Sequence, residues 1–212
     1  SDAYGGVAQA ELTRNKLGIK KVAILYINND YGVGVKEAFT VTFEKLGGTV
    51  LIAEPFEPDA QDFRTQLTRI KQKSTEAIFI VAYKEAILIL RQIKELRINA
   101  KLLSTPVFED KEIIEKAGGA AEGVTYIYYG GFNPQSGDEH IRKFVEAFKK
   151  KYNREPGYYS ALAYDAMNII LLAIEKAGPK SEDIKNALYQ VKDFPGITGQ
   201  TTFDSNGDVT KP

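Results

Sequence analysis

The chain has 212 residues, 28 Lys and Arg balanced by 28 Asp and Glu, no Cys, no Trp and one His. Length allows one large domain or two small ones, and a chain of this size buries about 70% of its unfolded surface, so a core forms without metal or disulfides. Zero net charge argues against nucleic acid or an anionic membrane surface as the main partner, the absence of Cys removes thiol catalysis and thiolate metal sites, and no run of about 18 apolar residues is present to span a membrane.

Residues 3–17 read as a helix capped by Ser1 or Asp2, with Ala8, Leu12 and Leu17 on one side. Lys21-Val-Ala-Ile-Leu-Tyr-Ile27 is a continuous apolar run, as a parallel strand buried on both faces requires. Asn28-Asn-Asp-Tyr-Gly32 breaks it, and a helix carrying Val35, Phe39, Phe43 and Leu46 runs to the stop at Gly47-Gly48. The unit then recurs. Residues 50–53 form a strand closed by Pro55 and Pro58, and Asp59 caps a helix with Phe63, Leu67 and Ile70 spaced four and three apart. Residues 77–82 are the third strand. Residues 85–98 fit either period, but Ala86, Leu90, Ile93 and Arg97 fall at helical spacing and the charge after Leu90 favours a helix. Residues 101–104 are a short strand, 109–117 a helix stopped by Gly118-Gly119, and 123–128 a fifth strand. Five strands alternating with single helices imply a parallel sheet with helices on both faces.

Beyond residue 132 the alternation stops. Residues 138–152 are amphipathic, with Ile141, Phe144, Val145, Phe148 and Tyr152 inward. Residues 160–177 are apolar nearly all round, which predicts a buried helix although no sheet is left to bury it. A shorter helix spans 181–191, and residues 200–210 read as a hairpin around Asn206-Gly207.

The chemistry-bearing patterns are sparse. His140 sits beside Asp138 and Glu139 at a helix start, a solvated first-turn residue rather than a triad member. Asp204-Ser-Asn-Gly-Asp208 imitates the first half of a calcium loop, but its Gly falls at position four and no Glu follows at twelve, so a turn is expected. Gly32-Val-Gly34 opens a helix after a strand but lacks the third Gly of a dinucleotide site. Glu109-Asp110 fit the first turn of a helix, where acids complement its dipole. The aromatic residues carry more weight: twelve Tyr and eleven Phe are present, and Tyr31, Phe56, Tyr83, Phe108, Tyr126, Tyr128 and Tyr129 stand where strands end. Ligands of open parallel sheets bind at those ends. A crevice walled by Tyr suits a small, partly apolar ligand held by ring faces and hydroxyls. It supplies no nucleophile and no activated base. Tyr31 and Tyr83, flanked by polar residues, are the least explicable as core, whereas Phe56 and Phe108 fit core or crevice.

Six segments in order resemble one family. These are Ser1-Asp2 before a small-residue helix, Lys21-Val-Ala-Ile-Leu-Tyr26, Asp30-Tyr-Gly-Val-Gly34, Gly118-Gly-Ala-Ala-Glu-Gly-Val124, Tyr164-Asp-Ala166 and Phe203-Asp-Ser-Asn-Gly-Asp208. Together they are similar to the type I periplasmic solute-binding proteins of the leucine/isoleucine/valine-binding group. The resemblance implies an α/β fold of two lobes joined by three crossings. One three-layer αβα, Rossmann-like lobe with a parallel sheet would span residues 3–127, followed by a hinge crossing at 128–132. Residues 133–197 would be the later, mostly helical part of an incomplete second lobe whose opening stretch is absent, and 198–212 the third crossing and hairpin.

The same resemblance implies that Tyr31 and Tyr83 contact the ligand, and that Thr105, Pro106 and Phe108 complete the set. Pro106 stands where the family's amino-acid binders place a Glu for the ligand ammonium. A buried ammonium without a counter-charge is costly, so an aromatic or aliphatic acid or amide is expected instead. The implied partners are a small-molecule ligand and the membrane permease of an ABC importer, with no nucleic acid, no cofactor and only indirect contact with the membrane. The implied location is periplasmic or extracellular. It fits the lack of Cys, although nothing at the start reads as an export signal, which would have been removed or was never there. Two other classes share such a fold: a ligand-sensing domain of a receptor, and a flavodoxin-like enzyme, against which the missing base counts.

Overall fold

Lys21–Ile27 forms the first strand, β1, and every residue from Val22 to Leu25 is fully buried. The computed structural model describes residues 2–128 and 130–210, and the chain divides into two compact units, Ser1–Tyr128 and Tyr129–Pro212. In the first unit, α1 (Asp2–Glu11), ending in a π-helical turn at Leu12–Lys16, leads into β1. Then come α2 (Asp30–Lys45), β2 (Thr49–Phe56), α3 (Arg64–Lys71), β3 (Ala77–Val81), α4 (Ala86–Glu95), β4 (Lys101–Ser104), α5 (Lys111–Ala117) and β5 (Thr125–Tyr126). The strands lie in the order β2-β1-β3-β4-β5, and every pairing is parallel.

Alternation along each strand splits the core in two. Ala23, Leu25, Ile78, Ile80 and Ala82 face one way and meet Phe63, Leu67, Ile70, Ile89, Leu90 and Ile93 of α3, α4 and the loop before α3. Val22, Ile24, Ala77, Phe79, Val81 and Leu103 face the other way, against Ala10 of α1 and Val35, Phe39 and Phe43 of α2. The three-layer αβα lobe expected from the alternation is therefore present.

Several boundaries differ from expectation. β2 continues through Pro55 to Phe56 because it is an edge strand, where a residue without N–H is tolerated. Asp59 caps nothing. It has φ +61° in the turn before α3, and that helix begins only after Phe63, whose N–H donates to Gln92 Oε1 at 2.7 Å. The ambiguous segment is helical, but Arg97, with φ +51°, lies beyond its end. Glu109 belongs to a 3₁₀ turn, Pro106–Glu109, and Asp110 caps α5 by accepting from Glu112 N–H at 3.0 Å. β5 has only two residues, since Gly123 takes φ +79° in a turn.

The second unit contains α6 (Glu139–Tyr152), α7 (Tyr158–Ala177), α8 (Ser181–Tyr189) and an antiparallel sheet of β6 (Phe194–Gly196), β7 (Gly199–Phe203) and β8 (Val209–Thr210). The β7–β8 hairpin was expected, and β6 was not. Asp204 closes the hairpin turn by accepting from the Asn206 and Asp208 amides. Tyr152 is exposed rather than inward. α7 is buried on one side only, through Tyr158, Ala161, Asp165, Ile169 and Ala173, while Tyr164, Met167, Ile170 and Leu171 are exposed.

Candidate functional site

The strand order places a topological switch at β1 and β3: the chain leaves β1 for β2 on one side and leaves β3 for β4 on the other. The loops leaving these neighbouring strands diverge, and the crevice they open at the carboxyl edge is where such sheets take ligands. Tyr31 follows β1 and Tyr83 follows β3. Their rings stack with centroids 5.0 Å apart and planes 18° from parallel. Tyr83 is 45% exposed, and Tyr31 is half-buried and packs on the core beneath it.

Each ring is held by its local backbone. Tyr31 sits in the first turn of α2, not in a loop. Asn29 caps that helix by accepting from Gly32 N–H at 2.9 Å. Gly32 is required there because a Cβ would run into the Ile27 carbonyl oxygen. Tyr83 is held by Glu85, which stands at the N-cap of α4. Its carboxylate, only 5% exposed, accepts from Tyr83 N–H through one oxygen and from Asp59 N–H through the other, both at 3.2 Å. Lys84 and Asp59 add an ion pair at 3.2 Å. The loop after β2 is thereby stapled to the loop after β3.

The other expected residues are placed differently. Thr105 directly follows β4 and is buried. Pro106 is half-buried and starts the 3₁₀ turn. Phe108 is 3% exposed and belongs to the core with Ile113 and Ala117, its ring 5.9 Å from that of Tyr126. Phe56 is likewise core, edge-on to Phe63 at 5.0 Å. Tyr129 lies outside the described residues. The Tyr126 phenol is pushed up to about 12, first by burial and then by its hydrogen bond to the Glu109 carboxylate and that group's charge.

Other candidates resolve into structure. His140 is exposed and donates its backbone N–H to the Asp138 cap at 2.8 Å. Among the described residues no group of three or more His, Asp or Glu is placed to hold a metal ion. Asp165 of the Tyr164-Asp-Ala166 segment is buried and accepts from Ile197 N–H at 2.9 Å, Thr198 N–H at 2.8 Å and the Thr198 hydroxyl at 2.5 Å. It fixes the β6–β7 turn to α7. A 680 Å³ groove in the second unit lies between α7, α8 and β6, lined by Ala173, Lys176, Asp183, Val191 and Phe194. It borders no parallel strand, whereas the stacked tyrosines stand at the carboxyl edge of a parallel sheet, where such folds take ligands.

A doubly wound lobe with stacked aromatic rings at its switch point is an arrangement suited to holding a small molecule. The family described as "Periplasmic binding protein" matches residues 3–212, and the chain belongs to it. The chain is 27% identical over 191 residues to the leucine-, isoleucine-, valine-, threonine- and alanine-binding protein of Pseudomonas aeruginosa, covering 90% of this chain and 50% of that one. Among solved structures, a leucine-binding protein of Thermotoga maritima superposes with a TM-score of 0.83 at 33% identity, over 99% of this chain and 60% of its own. A branched-chain amino acid transporter substrate-binding protein of Streptococcus pneumoniae, in complex with isoleucine, gives 0.82 at 30% identity, over 100% and 60% respectively. The chain therefore spans about half the length of its curated relatives. The type I periplasmic binding fold expected from the sequence is the fold found.

Proposed function

We propose that this chain is the ligand-capturing part of a solute-binding protein that serves an ABC importer outside the cytoplasm, and that it acts without catalysis. The observation carrying this reading is the Tyr31–Tyr83 stack at the switch point of a parallel sheet. The Tyr83 ring, backed by the Tyr31 ring stacked against it, gives a flat apolar face for a small organic solute. Family membership supports capture by hinge closure, with residues 128–132 as one crossing between lobes and a permease as the membrane partner.

The ligand class follows from charge. Pro106 brings no charge to pair with an ammonium, and the buried Glu85 carboxylate is engaged with two backbone amides. A small aliphatic or aromatic acid or amide is the favoured ligand, with an amino acid as the competing one. Leucine and 4-methylpentanoate differ only in the ammonium group, so calorimetric titration with each, and with 4-methylpentanamide, tests this reading. Tighter binding of the two ammonium-free compounds supports it. Tighter binding of leucine overturns the ligand class, and no binding of any of the three overturns the site.

A further inference from the structure

Buried polar atoms in folded proteins are almost always hydrogen-bonded, so each exception asks for a partner. Among the described residues three buried side-chain atoms have none: Gln9 Nε2, Arg14 Nε and Thr105 Oγ1. Arg14 is only half-buried, but Gln9 is 1% exposed and Thr105 7%.

The alternation of the strands and the register of β4 with β5 set both residues toward the same layer. Leu103 faces the α1–α2 layer, so Thr105, two residues on, turns its side chain to the same layer. Gln9 lies on α1, next to Ala10 of that layer. β4 pairs with β5 through Ser104 and Tyr126, and continuing that register by one residue sets Thr105 beside Ile127. The Ile127 N–H donates to Gln9 Oε1 at 3.2 Å. One end of the Gln9 carboxamide is thus bound to the chain leaving β5, while its NH₂ end and the neighbouring Thr105 hydroxyl are left over.

We infer that Gln9 and Thr105 form a buried polar site, between α1 and the carboxyl ends of β4 and β5, that binds one oxygen atom. The oxygen accepts from Gln9 Nε2–H and shares a hydrogen bond with the Thr105 hydroxyl, which can donate or accept. Two sources supply such an atom: an internal water, which needs two to four polar partners of this kind, or a carbonyl or carboxylate oxygen of the captured solute. Either way, the site braces α1 against the segment that begins at Ile127. The site stands apart from the ligand-class reading, since a water can fill it whether or not any solute binds.

The test uses Thr105→Val, which keeps the shape and removes the hydroxyl, and Thr105→Ser, which keeps the hydroxyl. If water fills the site, Thr105→Val lowers the Tm of the unliganded chain by about 2–4 °C. The Gln9 side-chain amide then shows a nuclear Overhauser contact to a long-lived water that survives in Thr105→Ser and vanishes in Thr105→Val. If the solute supplies the oxygen, Thr105→Val leaves the unliganded Tm unchanged or raises it, and weakens 4-methylpentanoate binding about tenfold while Thr105→Ser does not. A Tm that stays or rises in Thr105→Val with no loss of 4-methylpentanoate binding, including the case where no binding is seen, means the two atoms sit dry. That result overturns the site.

Discussion

Tyr83 and Tyr31 are not equivalent, although the sequence presents them alike. Tyr83 is the more exposed ring and leans on Glu85 only through its backbone, so Tyr83→Ala should weaken solute binding by about 1–3 kcal/mol and leave Tm nearly unchanged. Tyr31 also packs on the core, so Tyr31→Ala should cost both affinity and stability. Titration and thermal melts on the two variants check this pair of outcomes, and equal Tm losses would place Tyr83 in the core. Tyr126 gives a pH-dependent expectation. Its phenol titrates near 12 in the folded chain against 10.0 when unperturbed. Below pH 10 both states hold the proton, so the stabilising contribution is complete. Between 10 and 12 only the unfolded chain releases it, and stability falls with rising pH. Tyr126→Phe should flatten that part of a Tm-against-pH curve, and an unchanged slope would show that another group is responsible.

At the level of elements, the strands β1 and β3 and the helices α2, α4, α6 and α7 could be read from apolar runs, helical spacing and Gly stops, because those signals are local. Pro55 inside β2 could not, because tolerance of a missing N–H depends on β2 being at the sheet edge. Nor could β6, three residues containing Pro and Gly, which exists because β7 pairs with it and Asp165 pins the turn between them. Within the site, the two tyrosines were legible as aromatics out of place, but Glu85 was not, since its partners are backbone amides of two separate loops. Asp165→Ala should be among the most destabilising changes in the second unit, about 2–4 kcal/mol, because it removes the shared acceptor of two buried amides and a hydroxyl. Denaturant melts followed by amide signals of residues 194–203 would measure it. A loss under about 1 kcal/mol would mean the turn holds without it.

At the scale of the whole molecule the two units differ in how much apolar surface they bury. Among the described residues, the first has clusters of seventeen and ten buried residues on the two faces of its sheet, whereas the second has a cluster of six: Phe132, Phe144, Val145, Tyr158, Ala161 and Ile197. α7 leaves Met167 55%, Leu171 53%, Tyr164 45% and Ile170 40% exposed, a run of large apolar side chains of the kind soluble monomers seldom display together. Hydrophobic burial is the main term opposing chain entropy, so local opening should be far cheaper in the second unit than in the first. Hydrogen exchange on the 212-residue chain should therefore find slow amides in β1, β3 and α4 and faster ones in α7. At higher protein concentration α7 should slow if a second copy covers its apolar side, and the first unit should not change. Protection of α7 equal to that of β1 and β3 in a dilute, strictly monomeric sample would show that its buried side alone, through Ala161, Asp165, Ile169 and Ala173, holds the helix as firmly as the sheet holds its strands.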